Sequence, residues 1–254
     1  MMAVFAAGGC ATFSSGELET GLRAGTEGVA VHRVAVMPVV AADPFGMEPA
    51  EQQAMLELYE AEVVHGLEEL GAEVLTPVQV RDALMKAGRS DEIRRRLELN
   101  RPLELLFEPE SIDERRQFED DRKVFARELR DVLGVDALLV GQVVYHTTGR
   151  CEAGAESPYT EHVAVLGESG GGRTDVPCAI SHFQAKLVDT RTGLTLWYNR
   201  VLRETRSASS ESPPPDAGGN AVEAVRLVVG MPSAKLSRLI VKGEAPPSLT
   251  QREP

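Results

Sequence analysis

A nearly uninterrupted apolar segment in the middle of the chain constrains the fold more than any other feature. Residues 135–146 read VDALLVGQVVYH, with almost no polar side chain in the first half. A strand without polar alternation is buried on both faces, which is the environment of a central strand in a helix-covered sheet. The sequence therefore predicts an α/β fold with this segment at the centre of the sheet.

The segments on either side of this strand predict the rest of the sheet. Upstream, residues 31–40 and 72–77 are short strand-forming runs, and helical spacing between them predicts a connecting helix that ends at Gly71. A strand–helix–strand unit implies a parallel pair with a right-handed crossover. Downstream, residues 178–190 and 193–205 meet at a TRTG turn and predict an antiparallel hairpin.

The remaining segments are helical. Residues 78–88 predict a short helix, and the highly charged segment after it predicts helices over 90–100 and 113–133 with solvated outer faces. A final helix is expected from Val222 onward. The predicted order is β-α-β-α-α-β-β-β-α, an α/β fold with a mixed parallel and antiparallel sheet and helices packed on it.

The chain divides into three parts. Residues 1–30 predict the remnant of a signal peptide followed by a flexible tether. Residues 31–241 predict a single α/β domain, which contains a long Gly-, Ser- and Glu-rich loop at 147–178 and a Pro- and Ser-rich linker at 207–220. Residues 242–254 have the composition of a disordered tail.

The charge balance and the hydropathy limit the partners of the protein. The 254 residues include 39 Asp and Glu against 27 Lys and Arg, for a formal net charge of -12. An acidic surface repels phosphate backbones, so no nucleic-acid partner is expected. No apolar run approaches the ~20 residues of a membrane-spanning helix. The sequence therefore predicts no such helix.

A short cysteine motif near the N-terminus predicts a lipid anchor. Residues 7–10 read AGGC, which resembles the bacterial lipobox, whose cysteine becomes the lipidated first residue of the mature protein. Ala7 stands where leucine is usual, and no basic residue precedes Arg23, which a start codon further upstream would explain. The alternative is a chance small-residue N-terminus of a cytosolic protein. By resemblance to the sorting rule of enteric bacteria, Ala11 after Cys10 predicts the outer membrane.

The other two of the three cysteines predict a disulfide. Cys151 follows the central strand and Cys178 begins the next one, so both are expected at the same end of neighbouring strands. Adjacent strands lie about 4.8 Å apart, which suits the Cα separation of about 4.4–6.8 Å that a disulfide needs. Such a bond persists outside the reducing cytosol. The alternative is two unpaired cysteines.

The best catalytic motif in the sequence is weak. Residues 167–171 read GESGG and place Ser169 in a G-x-S-x-G pattern, with His182 and Asp189 downstream. The serine of a hydrolase elbow needs a helix directly after it, whereas here helix breakers follow and His182 falls in a predicted strand. The favoured interpretation is a Gly-rich loop tip without catalytic residues. A serine hydrolase that uses Ser169 is the alternative.

Metal and cofactor motifs are equally sparse. Glu62 and His65 have the spacing of a carboxylate-bridged metal site, but such sites need a second copy of the motif. The sequence contains neither a phosphate-binding P-loop nor a dinucleotide-binding glycine pattern. We therefore expect no metal, no cofactor and no enzymatic activity.

Ordered patterns over residues 31–241 resemble a family of bacterial envelope lipoproteins. They are a strand that ends in Pro38, the middle strand GVDALLVG and the hairpin turn LVDTRTG. The family includes the periplasmic domains of the curli secretion channel lipoprotein and of the outer-membrane activators of penicillin-binding proteins. The resemblance implies a non-enzymatic protein, lipid-anchored on the periplasmic face of the outer membrane. It also implies that the protein binds an envelope protein partner, forms a homo-oligomer, or both. The remaining alternative is an uncharacterised soluble α/β module.

Overall fold

The computed structural model describes residues 12–14, 19–22, 29–41, 47–88, 112–152, 175–230 and 236–241. Side chains are described in these ranges except in 12–22, in 112–122 and at Glu152. Cys10, Ser169, the helix predicted at 90–100 and the tail predicted at 242–254 lie outside the described residues.

The described residues contain eight strands and four α-helices, in this order along the chain: β1 (Thr12–Ser14), β2 (Glu19–Leu22), β3 (Arg33–Val36), β4 (Val40–Ala41), α1 (Pro49–Leu70), β5 (Glu73–Leu75), α2 (Pro77–Lys86), α3 (Ile112–Leu133), β6 (Ala137–Glu152), β7 (Asp175–Asp189), β8 (Thr195–Arg206) and α4 (Ala217–Val225). A π-helical segment, Arg226–Gly230, continues α4, and a 3₁₀ turn covers Leu236–Arg238.

All eight strands belong to one mixed sheet. Across the sheet the order is β1-β8-β7-β6-β3-β5, while β2 continues β1 along β8 and β4 continues β3 along β6. Strand β3 pairs in parallel with β5 and β6, whereas β6, β7 and β8 pair antiparallel. The predicted fold class, an α/β fold with a mixed sheet and helices packed on it, is confirmed.

The first half of β6 is buried on both faces, as its apolar sequence predicts. Leu139 and Val143 belong to a core that the sheet shares with α1 and α4. Leu138 and Val140 point the other way, into a second core formed with α2 and α3. Burying a side chain of this size stabilises the fold by about 1.5–3 kcal/mol. The strand is therefore fixed from both sides.

Helices α1 and α2 begin and end where local chemistry favours it. Gly71 after α1 has a φ of 94°, and its backbone N–H donates to carbonyls of the last helical turn. This left-handed conformation is one that glycine adopts without strain. At the start of α2, Thr76 and Gln79 form a reciprocal capping box that satisfies two backbone N–H groups.

The prediction of a flexible tether is wrong for residues 12–14 and 19–22. Strand β1 pairs antiparallel with 203–205 of β8, and β2 pairs with 197–200 of the same strand. The physical reason is that the outer edge of β8 presents a row of backbone N–H and C=O groups that need partners. Main-chain groups of almost any sequence can pair with such an edge, so side-chain patterning does not reveal it.

The long loop predicted at 147–178 is shorter in the structure. Strand β6 continues to Glu152 and β7 begins at Asp175. The two strands pair antiparallel without a register shift from the Thr147–Ile180 pair to the Glu152–Asp175 pair. Because cross-strand hydrogen bonds satisfy the backbone there, polar and glycine residues still adopt the extended conformation.

The linker predicted at 207–220 also ends early. Helix α4 begins at Ala217, because the carboxylate of Asp216 accepts a hydrogen bond of 3.0 Å from the backbone N–H of Gly218. An aspartate at this position satisfies an N–H group that has no partner within the helix. None of the described helices is long and apolar enough to cross a membrane.

Candidate functional site

One end of the sheet brings together the features that the sequence singles out, and we call it the disulfide end. Cys151 near the end of β6 and Cys178 near the start of β7 are joined in a disulfide, with their Cα atoms 5.8 Å apart. Cys178 lies opposite Gly149 on one side and Arg206 on the other. The β1 residue Thr12 pairs with Thr205, so the chain enters the sheet at this same end.

Above the neighbouring part of the sheet lies a buried polar cluster, which consists of Tyr59, His146, Ser181 and Asn220. The hydroxyl of Ser181 lies 3.0 Å from Nδ1 of His146, and the hydroxyl of Tyr59 lies 3.3 Å from the same nitrogen. The amide Nδ2 of Asn220 donates to the Ser181 hydroxyl at 2.9 Å. The cluster joins α1 and α4 to strands β6 and β7 beneath them.

Burial sets the protonation states in this cluster. Desolvation lowers the pKa of His146, because burial penalises the imidazolium form. Desolvation also raises the pKa of Tyr59, whose phenolate would be equally costly inside the core. Both side chains are therefore neutral near pH 7. Since Ser181 accepts a hydrogen bond from Asn220, its own proton is available to His146 Nδ1.

The serine–histidine contact in this cluster is not accessible to a substrate. Ser181, His146 and Tyr59 each have 0% of their surface exposed. A nucleophilic serine must reach a carbonyl carbon, and a general base must reach the proton that it removes. The geometry instead stabilises the packing of the helices on the sheet. The sequence alone does not reveal this cluster, because His146 and Ser181 lie 35 residues apart along the chain.

The structure also separates two residues that the hydrolase hypothesis would combine. His182 and Asp189 lie on the same strand, β7, seven positions apart. At about 3.3 Å per residue they are roughly 23 Å from each other, too far for a histidine–aspartate pair. Asp189 caps the hairpin turn, where its carboxylate accepts from the backbone N–H of Arg191 at 3.0 Å and from the Thr192 hydroxyl at 2.8 Å.

The opposite face of the sheet carries a row of polar side chains from β6, β7 and β8. Gln184 donates to Gln142 at 2.6 Å and accepts from the hydroxyl of Tyr198 at 3.3 Å. The ammonium of Lys186 lies 5.3 Å from the centre of the Tyr198 ring, within cation–π range. These side chains are half-buried. The row connects the three strands through side chains as well as through the backbone.

His182 lies on this polar face beside Arg200. Burial, with a smaller contribution from the Arg200 charge, lowers the pKa of His182 to about 4. The side chain is therefore neutral at neutral pH and takes up a proton only under acidic conditions.

The two residues of the metal motif considered from the sequence make separate contacts with other side chains. Glu62 accepts from Nε of Arg226 at 2.7 Å, which joins α1 to the segment after α4. His65 lies 3.4 Å from Glu69 on the same helix. No group of three or more metal-ligating side chains occurs among the described residues.

Two large apolar side chains project from the outer surface of α2. Val78 is 56% exposed and Met85 is 58% exposed. They lie seven residues apart, which places them on the same face of the helix. Exposed apolar residues on one helix face favour contact with another protein more than isolated ones do.

No family model and no curated protein matches the chain. Among solved structures, a lipoprotein named GNA1162 from Neisseria meningitidis is 16% identical, covers 78% of this chain and 95% of its own, and gives a TM-score of 0.42. A PelC dodecamer from Paraburkholderia phytofirmans is 10% identical, covers 86% and 96% of the two chains, and gives a TM-score of 0.40. A hypothetical protein, CT253, from Chlamydia trachomatis is 12% identical, covers 82% and 92%, and gives a TM-score of 0.33.

Proposed function

We propose that the protein is a lipid-anchored, non-enzymatic component of the bacterial envelope that holds a protein partner at the periplasmic face of the outer membrane. The observation that carries the proposal is the lipobox-like AGGC motif, whose Cys10 stands two positions before the first strand of the folded domain. Several acyl chains on one cysteine hold a protein firmly on a bilayer, whereas a single chain binds only marginally.

The pairing of Cys151 with Cys178 supports the same compartment. Their Cα atoms lie 5.8 Å apart on adjacent strands, and this separation suits a disulfide without movement of the backbone. Structural disulfides persist in the periplasm and are reduced in the cytosol. A domain that contains such a bond is therefore suited to the periplasm.

Two features support binding rather than catalysis. The Ser181–His146 contact is enclosed by the core, so it serves packing. Val78 and Met85 instead expose apolar surface on α2, where a protein partner gains hydrophobic contact area. Copies of this chain are a second class of partner for that surface.

Lipidation is tested by metabolic labelling. The gene is expressed in a Gram-negative host with its natural upstream region, in the presence of radiolabelled palmitate, and the membranes are fractionated. We expect label in the outer-membrane fraction for the wild type and none for Cys10→Ser. Equal labelling of both proteins overturns the proposed anchor.

The partner-binding role is tested by site-specific photo-crosslinking in cells. A photoreactive amino acid at Met85 should give a discrete crosslinked product, whereas the same probe at Ala61, an exposed position on α1, should give none. Mass spectrometry of the product then distinguishes a second copy of this chain from another envelope protein. Equal yields at both positions would remove α2 as the binding surface.

A further inference from the structure

We propose that the disulfide end of the sheet rests on the lipid headgroups of the membrane, with the β7–β8 turn pointing away from it. The proposal rests on the lipidation of Cys10 proposed above and adds an orientation to it. It assigns a membrane-contacting surface to the domain.

Only a short length of chain separates the anchor from the sheet. Thr12 is already paired with Thr205 in the edge of the sheet, and Cys10 stands two positions before it. Two residues span at most about 7 Å even when fully extended. An acylated Cys10 therefore holds the disulfide end close to the bilayer surface. A flexible tether of residues 11–30 would have allowed any orientation, but residues 12–14 and 19–22 belong to the sheet.

The other end of the sheet, at the β7–β8 turn, lies far from the disulfide end. Strand β8 runs for 12 residues, from Thr195 beside the hairpin turn to Arg206 beside Cys178. At about 3.3 Å per residue, these ends are roughly 36 Å apart. In the proposed upright orientation the disulfide end meets the headgroups, and the turn at 190–193 then lies several lipid-headgroup thicknesses away.

Polar and charged groups occupy the disulfide end. Arg150 is exposed there, and its guanidinium donates to the backbone carbonyl of Asp175 at 2.8 Å, a neutral acceptor that leaves the cationic charge in place. At a membrane surface, a guanidinium forms charge-assisted hydrogen bonds with lipid phosphate groups. The segment after β8 starts at the same end, where the backbone N–H of Ser207 donates to Pro177 at 2.8 Å. Its exposed residues 208–211 read ASSE, whose polar side chains suit the headgroup layer, and the carboxylates of Glu211 and Asp175 balance the charge of Arg150 at this end.

The test measures the depth of two labelled positions on the lipidated protein. With Cys10 acylated and the disulfide formed, a cysteine introduced by Ala208→Cys or by Leu194→Cys is the only reactive thiol. Each variant is labelled with an environment-sensitive fluorophore and reconstituted into phosphatidylethanolamine and phosphatidylglycerol vesicles. Some of these lipids carry a nitroxide quencher on the headgroup. We expect quenching several-fold greater at position 208 than at position 194, which is exposed near the turn.

A second pair of variants, labelled at other positions of the same two ends, tests whether a labelling site has disturbed the fold. Glu211→Cys should be quenched as strongly as Ala208→Cys. Val241→Cys should be quenched as weakly as Leu194→Cys, because the Val31–Ile240 bridge places Val241 at the opposite end of the sheet. Flotation of the vesicles reports the anchor separately. Protein that floats but shows equal or reversed quenching overturns the orientation alone, whereas protein that does not float overturns both the orientation and the anchor.

Discussion

The hydroxyl of Ser181 lies 3.0 Å from Nδ1 of His146, and neither side chain is exposed. Asn220 on α4 donates to the same hydroxyl and also to the backbone carbonyl of Arg203 at 3.1 Å. Four secondary-structure elements thus depend on one chain of hydrogen bonds.

Ser181→Ala should lower the free energy of unfolding by about 1–3 kcal/mol, because it removes the central member of a buried hydrogen-bond chain. Urea denaturation measures the change. Ser210→Ala, at an exposed serine, should stay within about 0.5 kcal/mol of the wild type. Equal effects of both substitutions would show that the cluster contributes nothing to stability.

The protein should lose stability as the pH falls from about 6.5 toward about 4. Burial lowers the pKa of His182 in the folded protein from 6.5 to about 4. The unfolded chain therefore binds the proton at higher pH than the folded protein, so stability is full above pH 6.5 and declines below it. His182→Gln should show a smaller loss between neutral and acidic pH, with the remainder due to His146, whose pKa burial also lowers.

Urea denaturation at neutral pH and at about pH 4.5 measures that difference, because the lower pH lies between the ordinary histidine pKa and that of buried His182. His65→Gln, which changes an exposed histidine on α1, is the matched control for loss of a histidine. A His182→Gln variant with the same acid sensitivity as the wild type contradicts the assignment.

Removal of the disulfide should lower the free energy of unfolding by about 3–4 kcal/mol. Cys151 and Cys178 are 27 residues apart, and in the loop-entropy model a bond that closes a loop of this length restricts the unfolded chain by that amount. The double variant with both cysteines changed to serine is compared with the wild type under non-reducing conditions. Peptide mapping of protein taken from the periplasm should recover the two cysteines in one linked pair. Complete alkylation of both thiols before reduction would contradict the pairing.

Gly141→Ala should lower the free energy of unfolding by about 1–3 kcal/mol, because overpacking a filled core forces neighbouring atoms apart. A Cβ at this position would lie 2.9 Å from Cζ of Phe183 and 3.2 Å from Cγ2 of Val39. Gly149→Ala on the same strand is the matched control, since its Cβ would meet nothing within 4 Å. Thermal denaturation should show a lower midpoint only for the first variant, and Phe183→Leu should partly restore it.

The centre of the sheet was predictable because the local sequence of β6 is apolar on both faces of the strand. Leu138 and Leu139 are adjacent, yet they enter different cores on opposite faces of β6. A strand in that position cannot alternate polar with apolar residues, so the apolar run is itself the signal. The turn between β7 and β8 was predictable for a similar local reason, since Gly193 has a positive φ of 69°.

The edge strands and the polar cluster were not predictable because their causes are not local. β1 and β2 are strands because β8 offers an unpaired edge, and that edge exists only once the sheet has formed. His146, Ser181 and Asn220 meet because of the register between β6 and β7 and the position of α4. Each side chain taken alone is an ordinary polar residue in a strand or a helix.

The antiparallel pairing of β1 and β2 with β8 has a mechanical consequence. Tension between a membrane-held Cys10 and a partner bound to the rest of the domain would act along the direction of these strands. The hydrogen bonds between the strands lie perpendicular to that direction. Tension would therefore strain the seven paired positions of β1 and β2 together, in shear, rather than open them one after another. Such an attachment resists a steady pull without needing additional covalent bonds.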